Sequence, residues 1–411
     1  CGTTSYDFKV SYDGIKKGDV SSKVSVHDPS ILKADGEYYI FGSHMSAAKS
    51  SDLLNWEKVA DGYSKKNPVY GQIYDVADEA FAYSGSKNSL IKTDDKQVHV
   101  WAPDVIYNET TGLYYMYYCT TSTWNASNLC YGTSTTPEGP YEWQGALIYS
   151  GFNRKTISGT DVLDYVDEDY AYKNYIKGAQ YNYEDYPNAI DPTVFYDADG
   201  RMWMVYGSWS GGIFLLEIDK TTGLVIHPEA DKANNVDPYY GKRLLGGGHI
   251  SIEGPYIMYD ETSGYYYLFV SYGALTSNGG YQVRVFRSKT VDGKYVDMNG
   301  KYPEKSAQHQ NFGLKLTGNY KLPSLEKAYM ATGHNSAFVD DDGRMYLVYH
   351  TRFNDNGEGH SPRVHQMLVN EDGWPCELPY QTQGEADNKD GYDTDDIIGR
   401  YYVINQGTAI D

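Results

Sequence analysis

The chain has few cysteines and no long apolar run. Only four of its 411 residues are cysteine, and no Cys/His spacing matches a zinc site. No stretch of eighteen apolar residues occurs, so no membrane-spanning helix is predicted. The sequence has no G-x-S-x-G motif, and its glycine-rich stretches lack the Lys-Ser/Thr of a phosphate-binding loop. A serine hydrolase and a P-loop protein are therefore disfavoured.

Basic side chains are also scarce. The 35 Lys and Arg residues face 55 Asp and Glu residues, which gives a net charge of −20 and a pI near 4.8. Such a surface repels phosphate backbones, so we expect no nucleic-acid partner. Phe (11) and Trp (7) are far outnumbered by Tyr (44). Tyrosine offers a ring face and a hydroxyl together, which suits sugars, although strands also favour tyrosine for purely architectural reasons.

What the chain does contain is a phrase of about twenty residues that recurs five times. Each copy is an apolar strand, a turn of Asp, Asn, Thr and Gly, and a Tyr-rich strand, a pattern that predicts a β-hairpin. The copies begin at His27, Trp101, Ile190, Ile252 and His334. Their spacing leaves room for one four-stranded propeller blade and its loops in each interval. We therefore predict an all-β fold, a five-bladed β-propeller.

Acidic residues recur near the start of the phrase. The positions aligned across the five copies are Asp28, Asp104, Asp191, Glu253 and Asn335. Equivalent strands of every blade line the central channel, so Asp28, Asp191 and Glu253 are expected to meet at one mouth. The alternative is that these acids only begin strands as turn residues.

Three carboxyl groups at one mouth suit glycosidic bond hydrolysis. That reaction needs one carboxylic acid to protonate the leaving oxygen and one carboxylate to activate water. A third carboxylate near the acid raises its pKa by repulsion between like charges. The main rival interpretation is a metal centre built from Asp28, Asp191, Glu253 and His334, since carboxylates and imidazoles also bind cations.

The motifs in this order resemble those of glycoside hydrolase family 43, and within it the endo-1,5-α-L-arabinanases, over residues 24–380. The motifs that carry the resemblance are VHDPS from Val26, YIFGSH from Tyr39, WAPD from Trp101, NAIDP from Asn188, GSW from Gly207, HISIEGPY from His249 and GHNS from Gly333. The resemblance implies a five-bladed propeller and hydrolysis with inversion. By position, Asp28 is the general base, Glu253 the general acid and Asp191 the group that modulates the acid's pKa.

The resemblance also implies contacts with substrate. The residues expected to make them are Trp101 as a stacking wall, Asn125, Asn188, Ala189, Ile190, Ser208 and His249. The family's usual glycine near one of these contacts is replaced here by Trp124-Asn125. His249 is either a substrate contact or a packing residue. In similar proteins the position of His334 lies near a bound calcium ion, so we expect calcium or a similar cation there; the alternative is a hydrogen-bonded core histidine.

The sequence divides into three predicted segments: a polar tether at 1–23, the catalytic propeller at 24–383, and a linker with a strand segment at 384–411. The last segment either begins a further β-domain or packs back on the propeller. The acidic, Tyr-rich stretch 151–187 interrupts the blade spacing and is expected to be a long loop that shapes a cleft or covers a flank. Cys119 and Cys130 are either a cross-strand disulfide or, as favoured here, two buried thiols.

The expected substrate is arabinan and its oligosaccharides, cleaved within the chain by a monomeric protein outside the cell. The start at Cys1 is that of a mature bacterial lipoprotein, or the chain begins there for another reason. Two alternatives stay open. One is an exo-acting α-L-arabinofuranosidase or β-xylosidase on the same fold, and the other is a propeller that binds sugar without cleaving it.

Overall fold

The computed structural model describes residues 22–94, 96–122, 125–353, 357, 359–384, 391–399, 401 and 403–406. The predictions on Cys1, Trp124 and nearly all of the N-terminal tether lie outside these residues. Five antiparallel sheets follow one another along the chain, each built from consecutive strands. The predicted five-bladed β-propeller is confirmed.

Each blade contains at least four strands. Blade 1 comprises β1 (Ser30–Ala34), β2 (Glu37–Gly42), β3 (Ser46–Ser50) and β4 (Glu57–Ala60). Blade 2 comprises β5 (Val100–Asn108), β6 (Leu113–Thr121), β7 (Ser127–Ser134) and β8 (Glu142–Ser150). Blade 3 comprises β11 (Thr193–Tyr196), β12 (Met202–Tyr206), β13 (Ile213–Ile218) and β16 (Gly241–Leu245), with β14 (Val225–Ile226) and β15 (Val236–Asp237) at its edge. Blade 4 comprises β17 (Ile252–Asp260), β18 (Tyr265–Tyr272), β19 (Gln282–Ser288) and β20 (Leu314–Thr317). Blade 5 comprises β21 (Met330–Val339), β22 (Met345–Arg352), β23 (Ser361–Val369) and β24 (Pro375–Glu377).

The connections between blades carry the helices. The first connection holds α1 (Gly71–Asp75) and α2 (Ala77–Ala80). The stretch 151–187 is more ordered than the long loop expected from its sequence, because it folds into α3 (Val162–Tyr165), α4 (Glu168–Asn174) and a hairpin of β9 (Ile176–Lys177) and β10 (Gln180–Tyr181). Its apolar residues Phe152, Val162 and Ala171 join the largest core cluster. Among the described residues, none of the helices is long and apolar enough to cross a membrane.

A residue in the left-handed backbone region lies just before or within the first strand of every blade. These residues, with their φ angles, are Asp28 (56°), Ala102 (41°), Asp191 (55°), Gly254 (56°) and His334 (49°). They define the true structural repeat, so the alignment of the copies at Asp104, Glu253 and Asn335 is wrong. Asp104 lies two residues too late, Glu253 one too early and Asn335 one too late.

The error has a physical origin. Left-handed φ is costly for residues with a β-carbon, and bulges disturb the pairing next to Ala102, Gly254 and His334. Polar and apolar alternation therefore breaks at this point of each strand, and a pattern of side-chain types cannot fix the alignment to the residue. Asp104 is consequently not at the mouth, contrary to its place in the phrase.

A belt of hydrogen bonds connects the blades two residues further along each first strand. In blade 2 that residue is Asp104, which accepts from the Ser30 hydroxyl of blade 1 and, at 2.6 Å, from the Val194 N–H of blade 3. Burial raises the pKa of Asp104 to about 7. This buried carboxyl group joins three blades.

The same positions in other blades continue the belt. Thr193 of blade 3 donates its hydroxyl to the Pro255 carbonyl of blade 4 at 2.8 Å. Ser336 of blade 5 donates to the Pro29 carbonyl of blade 1 at 2.9 Å and accepts from the Ile31 N–H at 3.0 Å. The Tyr256 hydroxyl of blade 4 bonds to the backbone of blade 5. The belt fixes the five strands on which the mouth is built.

Cys119 and Cys130 are buried free thiols, as favoured from the sequence. The described part of the C-terminal segment contains a short helix, α5 (Thr394–Ile397), and no strand. Ile404 packs on a propeller cluster that includes Leu322, and the Lys315 ammonium donates to the Gln406 carbonyl at 2.8 Å. The described residues of this segment therefore contact the propeller, while the division at 383/384 stays a prediction.

Candidate active site

Asp28 lies at the mouth of the propeller within a cage of polar groups. The Ser43 hydroxyl donates to its Oδ2 at 2.5 Å, and ring nitrogens of His27 and His334 each lie 3.1 Å from its Oδ1. The backbone N–H of Asp28 donates to Nδ1 of the fully buried His350 at 3.2 Å. The cage holds both the carboxylate and its left-handed backbone in place.

The cage keeps Asp28 ionised. Burial by itself would raise its pKa, but the polar ring nitrogens of His27 and His350, the positive charge of His334 and the Ser43 hydroxyl together hold it well below the usual range. Burial lowers the pKa of His27 to about 4 and that of His350 well below its ordinary value, so both are neutral near pH 7. The pKa of His334 is raised, since Asp28, Asp191 and Glu253 outweigh the effect of burial. His334 therefore provides the positive charge beside Asp28.

Asp191 occupies the equivalent position in blade 3. Its Oδ2 accepts the Gly254 N–H at 3.1 Å, which connects it to the strand that carries Glu253. Gly254 is itself required here, because a Cβ at its left-handed position would lie 3.1 Å from Nδ1 of His334. Burial raises the pKa of Asp191; His334 opposes the rise, and the charges of Glu253 and Asp28 add to it.

Glu253 is held by donors from two blades. Its Oε2 accepts from the Trp209 indole N–H at 2.8 Å and from the Ser208 hydroxyl at 3.2 Å, and the Tyr281 hydroxyl also bonds to its carboxyl group. Burial raises the pKa of Glu253 above its usual value, although these donors and His334 pull it down. The three predicted acids and His334 thus meet at one mouth, with Asp28 and Glu253 shifted in opposite directions.

The predicted substrate contacts in blades 2 and 3 form one connected group around Ser150. Its hydroxyl donates to the Asn125 carbonyl at 2.7 Å, accepts the Ala189 N–H at 2.9 Å and lies 3.4 Å from Oδ1 of Asn188. Ala189 has no exposed surface and Ile190 is only 7% exposed, so in this structure both serve as packed support for Asp191.

The three further predicted contacts are Trp101, Ser208 and His249. Trp101 is half-buried, and its indole nitrogen has no hydrogen-bond partner in the described structure. Ser208 is directed at Glu253, as its hydrogen bond shows. His249 is exposed, and its Nδ1 lies 3.3 Å from the Ser210 hydroxyl. Exposure distinguishes His249 from a core packing residue.

Sequence reasoning missed four residues of the site: Ser43, Trp209, Tyr281 and His350. Ser43 and Trp209 lie within motifs that carry the family resemblance, so a signal for them existed. Tyr281 and His350 carry none, because strand order alone brings them to the mouth. Their rings stack with centroids 5.9 Å apart, and together they connect the Glu253 carboxyl group to the Asp28 backbone.

The residues at the mouth fit a hard cation at His334. Calcium prefers oxygen ligands, and three carboxyl groups surround this imidazole. Because its Nδ1 faces Asp28, Nε2 is the nitrogen left for a cation.

A second histidine cluster, formed by His27, His350 and His360, does not fit a metal. His350 Nδ1 already accepts the Asp28 N–H, and His360 Nε2 lies 2.6 Å from an Arg352 guanidinium nitrogen, which can only donate. The lone pairs of these two nitrogens are therefore occupied.

A propeller mouth with one ionised carboxylate and two neighbouring carboxyl groups of raised pKa has the components for acid and base catalysis at a sugar's anomeric carbon. This fold and site define a glycoside hydrolase.

The comparisons with known proteins agree. The family model of glycosyl hydrolases family 43 matches residues 20–186 and 167–375. The extracellular endo-alpha-(1->5)-L-arabinanase of Thermotoga petrophila is 39% identical over 398 residues, covering 94% of this chain and 76% of the relative. Extracellular endo-alpha-(1->5)-L-arabinanase 2 of Bacillus subtilis is 37% identical over 417 residues, covering 95% and 78%. The crystal structure of the Thermotoga petrophila endo-1,5-alpha-L-arabinanase in complex with TRIS superposes with a TM-score of 0.78 at 39% identity, covering 94% of this chain and 80% of that one. The chain belongs to glycosyl hydrolases family 43.

Proposed function

We propose that this protein is an inverting, endo-acting glycoside hydrolase that cleaves α-1,5-L-arabinofuranosidic bonds in arabinan. The observation that carries the proposal is the opposite pKa shift of Asp28 and Glu253 at one mouth. A base must be ionised and an acid protonated at the same pH, and here each environment favours the required form. Two arabinan-cleaving relatives at 37–39% identity support the choice of substrate.

In this mechanism Asp28 accepts a proton from the attacking water. The histidine cage keeps Asp28 ionised, and the His350 and Ser43 contacts hold it in one orientation, so no reorganisation is needed as the water attacks. The carboxyl groups of Asp28 and Glu253 are expected to lie roughly 6.5–9.5 Å apart, which leaves room for that water.

Glu253 donates its proton to the leaving oxygen. The Trp209 indole can only donate, so Oε2 of Glu253 is an acceptor and the transferable proton belongs on Oε1. After transfer, the donors on Oε2 stabilise the new carboxylate. Asp191 disfavours a further negative charge close by and so helps to keep Glu253 protonated before the reaction.

His334 is proposed to hold calcium or a similar hard cation. When bound, such an ion adds positive charge close to the carboxylates and stiffens the mouth. The proposed partners are arabinan and arabino-oligosaccharides, and we place the protein outside the cell because both relatives are named as extracellular.

Product analysis on linear arabinan tests the proposal. Endo action yields oligosaccharides first, exo action yields arabinose from the start, and a sugar-binding propeller yields nothing. Glu253→Gln should lose hydrolysis while retaining binding measured by calorimetry, because the amide keeps the shape of the side chain but has no acidic proton. Turnover near the wild-type rate would contradict the assignment of Glu253.

A further inference from the structure

A row of three aromatic rings leads from the general acid to the surface. The Trp209 and His249 ring centroids lie 5.6 Å apart, and those of His249 and Tyr183 lie 5.3 Å apart. Trp209 is half-buried, whereas His249 is exposed and Tyr183 is 36% exposed. Open aromatic faces at a catalytic mouth are suited to stacking on the C–H faces of sugars.

The row lies on the side of Glu253 and away from Asp28. Trp209 projects from the β12–β13 loop of blade 3, and His249 lies between blades 3 and 4. On the side of Asp28, the neighbouring His27 instead contacts His44, which follows β2 in blade 1. In a closed ring of five blades, blade 1 faces the junction of blades 3 and 4. The row therefore extends the mouth on the side where the acid protonates the leaving group.

The outer end of the row is firmly mounted. Tyr183 belongs to the insertion at 151–187, and the next residue, Glu184, accepts the Gly248 N–H through its carbonyl at 2.7 Å. The Lys305 ammonium contacts the Asp185 carboxylate at 2.5 Å. The insertion thus holds the loop of His249 from one side, and a rigid platform binds sugar with little loss of conformational entropy.

We propose that Tyr183 and His249 form a binding site for the arabinofuranose units on the leaving-group side of the cleaved bond, beyond the first unit. This inference rests on the proposed function. The ring centroids are separated by about the length of one sugar unit, and the planes of neighbouring rings are inclined by 54° and 75°, so the rings offer separate contacts to a bound chain rather than one flat platform. Burial lowers the pKa of His249, which keeps its ring neutral and suited to an uncharged ligand near pH 7. The insertion at 151–187 thereby determines chain-length preference and favours cleavage within a chain.

The test uses linear α-1,5-arabino-oligosaccharides of three to eight units labelled at the reducing end, with the variants Tyr183→Ala and Tyr183→Phe. Tyr183→Ala should lower kcat/KM by about two- to tenfold on the longer substrates only, the loss expected for one stacking contact, and should shorten the labelled product. Tyr183→Phe should behave like wild type, because the ring face makes the contact. Tyr165→Ala is the matched control: Tyr165 is in the same insertion and 49% exposed, but stacks on His227.

Each outcome decides one claim. An unchanged product pattern in Tyr183→Ala, or an equal fall at every substrate length, would overturn the inference. A wild-type protein that cleaves none of these oligosaccharides would instead refute the proposed function. Equal melting temperatures for Tyr183→Ala and Tyr165→Ala would separate a lost sugar contact from a loosened insertion.

Discussion

The indole nitrogen of Trp209 lies 2.8 Å from Oε2 of Glu253, and Trp209 adopts a left-handed backbone with φ 54° to place it there. This conformation is rare for a bulky residue and is costly. The backbone N–H of Trp209 donates to the carbonyl of Ile252, the residue before Glu253, at 2.9 Å. This hydrogen bond maintains the left-handed conformation. The strained residue thus orients the proton that the reaction consumes.

Replacing this donor should move the alkaline limb of the pH–rate profile. In Trp209→Phe the Glu253 carboxylate loses one N–H donor, so its pKa rises and the acid stays protonated to higher pH. We expect the alkaline limb of kcat/KM to shift upward by about one pH unit, with a lower maximum. Trp203→Phe is the matched control, since its indole donates to Asp197 at 2.8 Å in the β11–β12 turn. An alkaline limb identical to wild type in Trp209→Phe would contradict this role.

The buried carboxyl group of Asp104 should make stability depend on pH. Its folded-state pKa of about 7 lies above the unfolded value, so its penalty is absent below about pH 4 and develops as pH rises to about 7. Relative to wild type, Asp104→Asn should therefore gain stability across this window, by up to about 1.4 kcal/mol for each unit of pKa shift. Denaturant unfolding at pH 4 and pH 8 measures the difference. The effects of Asp104→Asn on the Ser30 and Val194 hydrogen bonds are largely independent of pH. The same difference in unfolding free energy between variant and wild type at both pH values would therefore contradict the raised pKa of Asp104.

Removal of the proposed cation should weaken both stability and activity. An ion that binds only the folded protein adds RT ln(1 + [L]/Kd) to its stability. We expect dialysis against a chelator to lower the melting temperature and the rate of arabinan hydrolysis, and added calcium to restore both. Binding should tighten as pH rises, because His334 must give up its proton to bind a cation.

His334→Ala provides the control for this experiment. The variant should respond to neither chelator nor calcium. If wild-type protein contains no metal by elemental analysis and its melting and rate are unchanged by chelation, His334 acts only as the cationic partner of Asp28.

The sequence predicts the blades and the acids better than it predicts their exact alignment. Asp28 and Asp191 each precede a proline, and both occupy the left-handed position of their blade. Glu253 reaches the same mouth from one residue earlier, because Gly254 takes the left-handed position in blade 4. Asp104 resembles the catalytic acids in its side chain but lies two residues past the left-handed position of its blade. There it accepts the hydrogen bonds that connect blades 1, 2 and 3.

The supporting residues were harder to predict for a different reason. Tyr281 follows a glycine-rich turn, and His350 lies near the end of a strand that contains tyrosines. Neither pattern distinguishes these two residues from architectural ones. Their function depends on contacts between blades 4 and 5 and blade 1, which local sequence does not encode. The short helices of the insertion at 151–187 are likewise not evident from the sequence, because they are stabilised by packing on the propeller rather than by helical periodicity.

The stereochemistry of the product tests the central claim most directly. Asp28 as base and Glu253 as acid act on opposite sides of the anomeric carbon, so cleavage of a linear α-1,5-arabino-oligosaccharide should first release a β-configured reducing end. Proton NMR in the first minutes of the reaction, before the anomers equilibrate, reads this configuration. Initial accumulation of the β-anomer on oligosaccharide products is the predicted result, whereas initial accumulation of the α-anomer would contradict the assignment of Asp28 and Glu253.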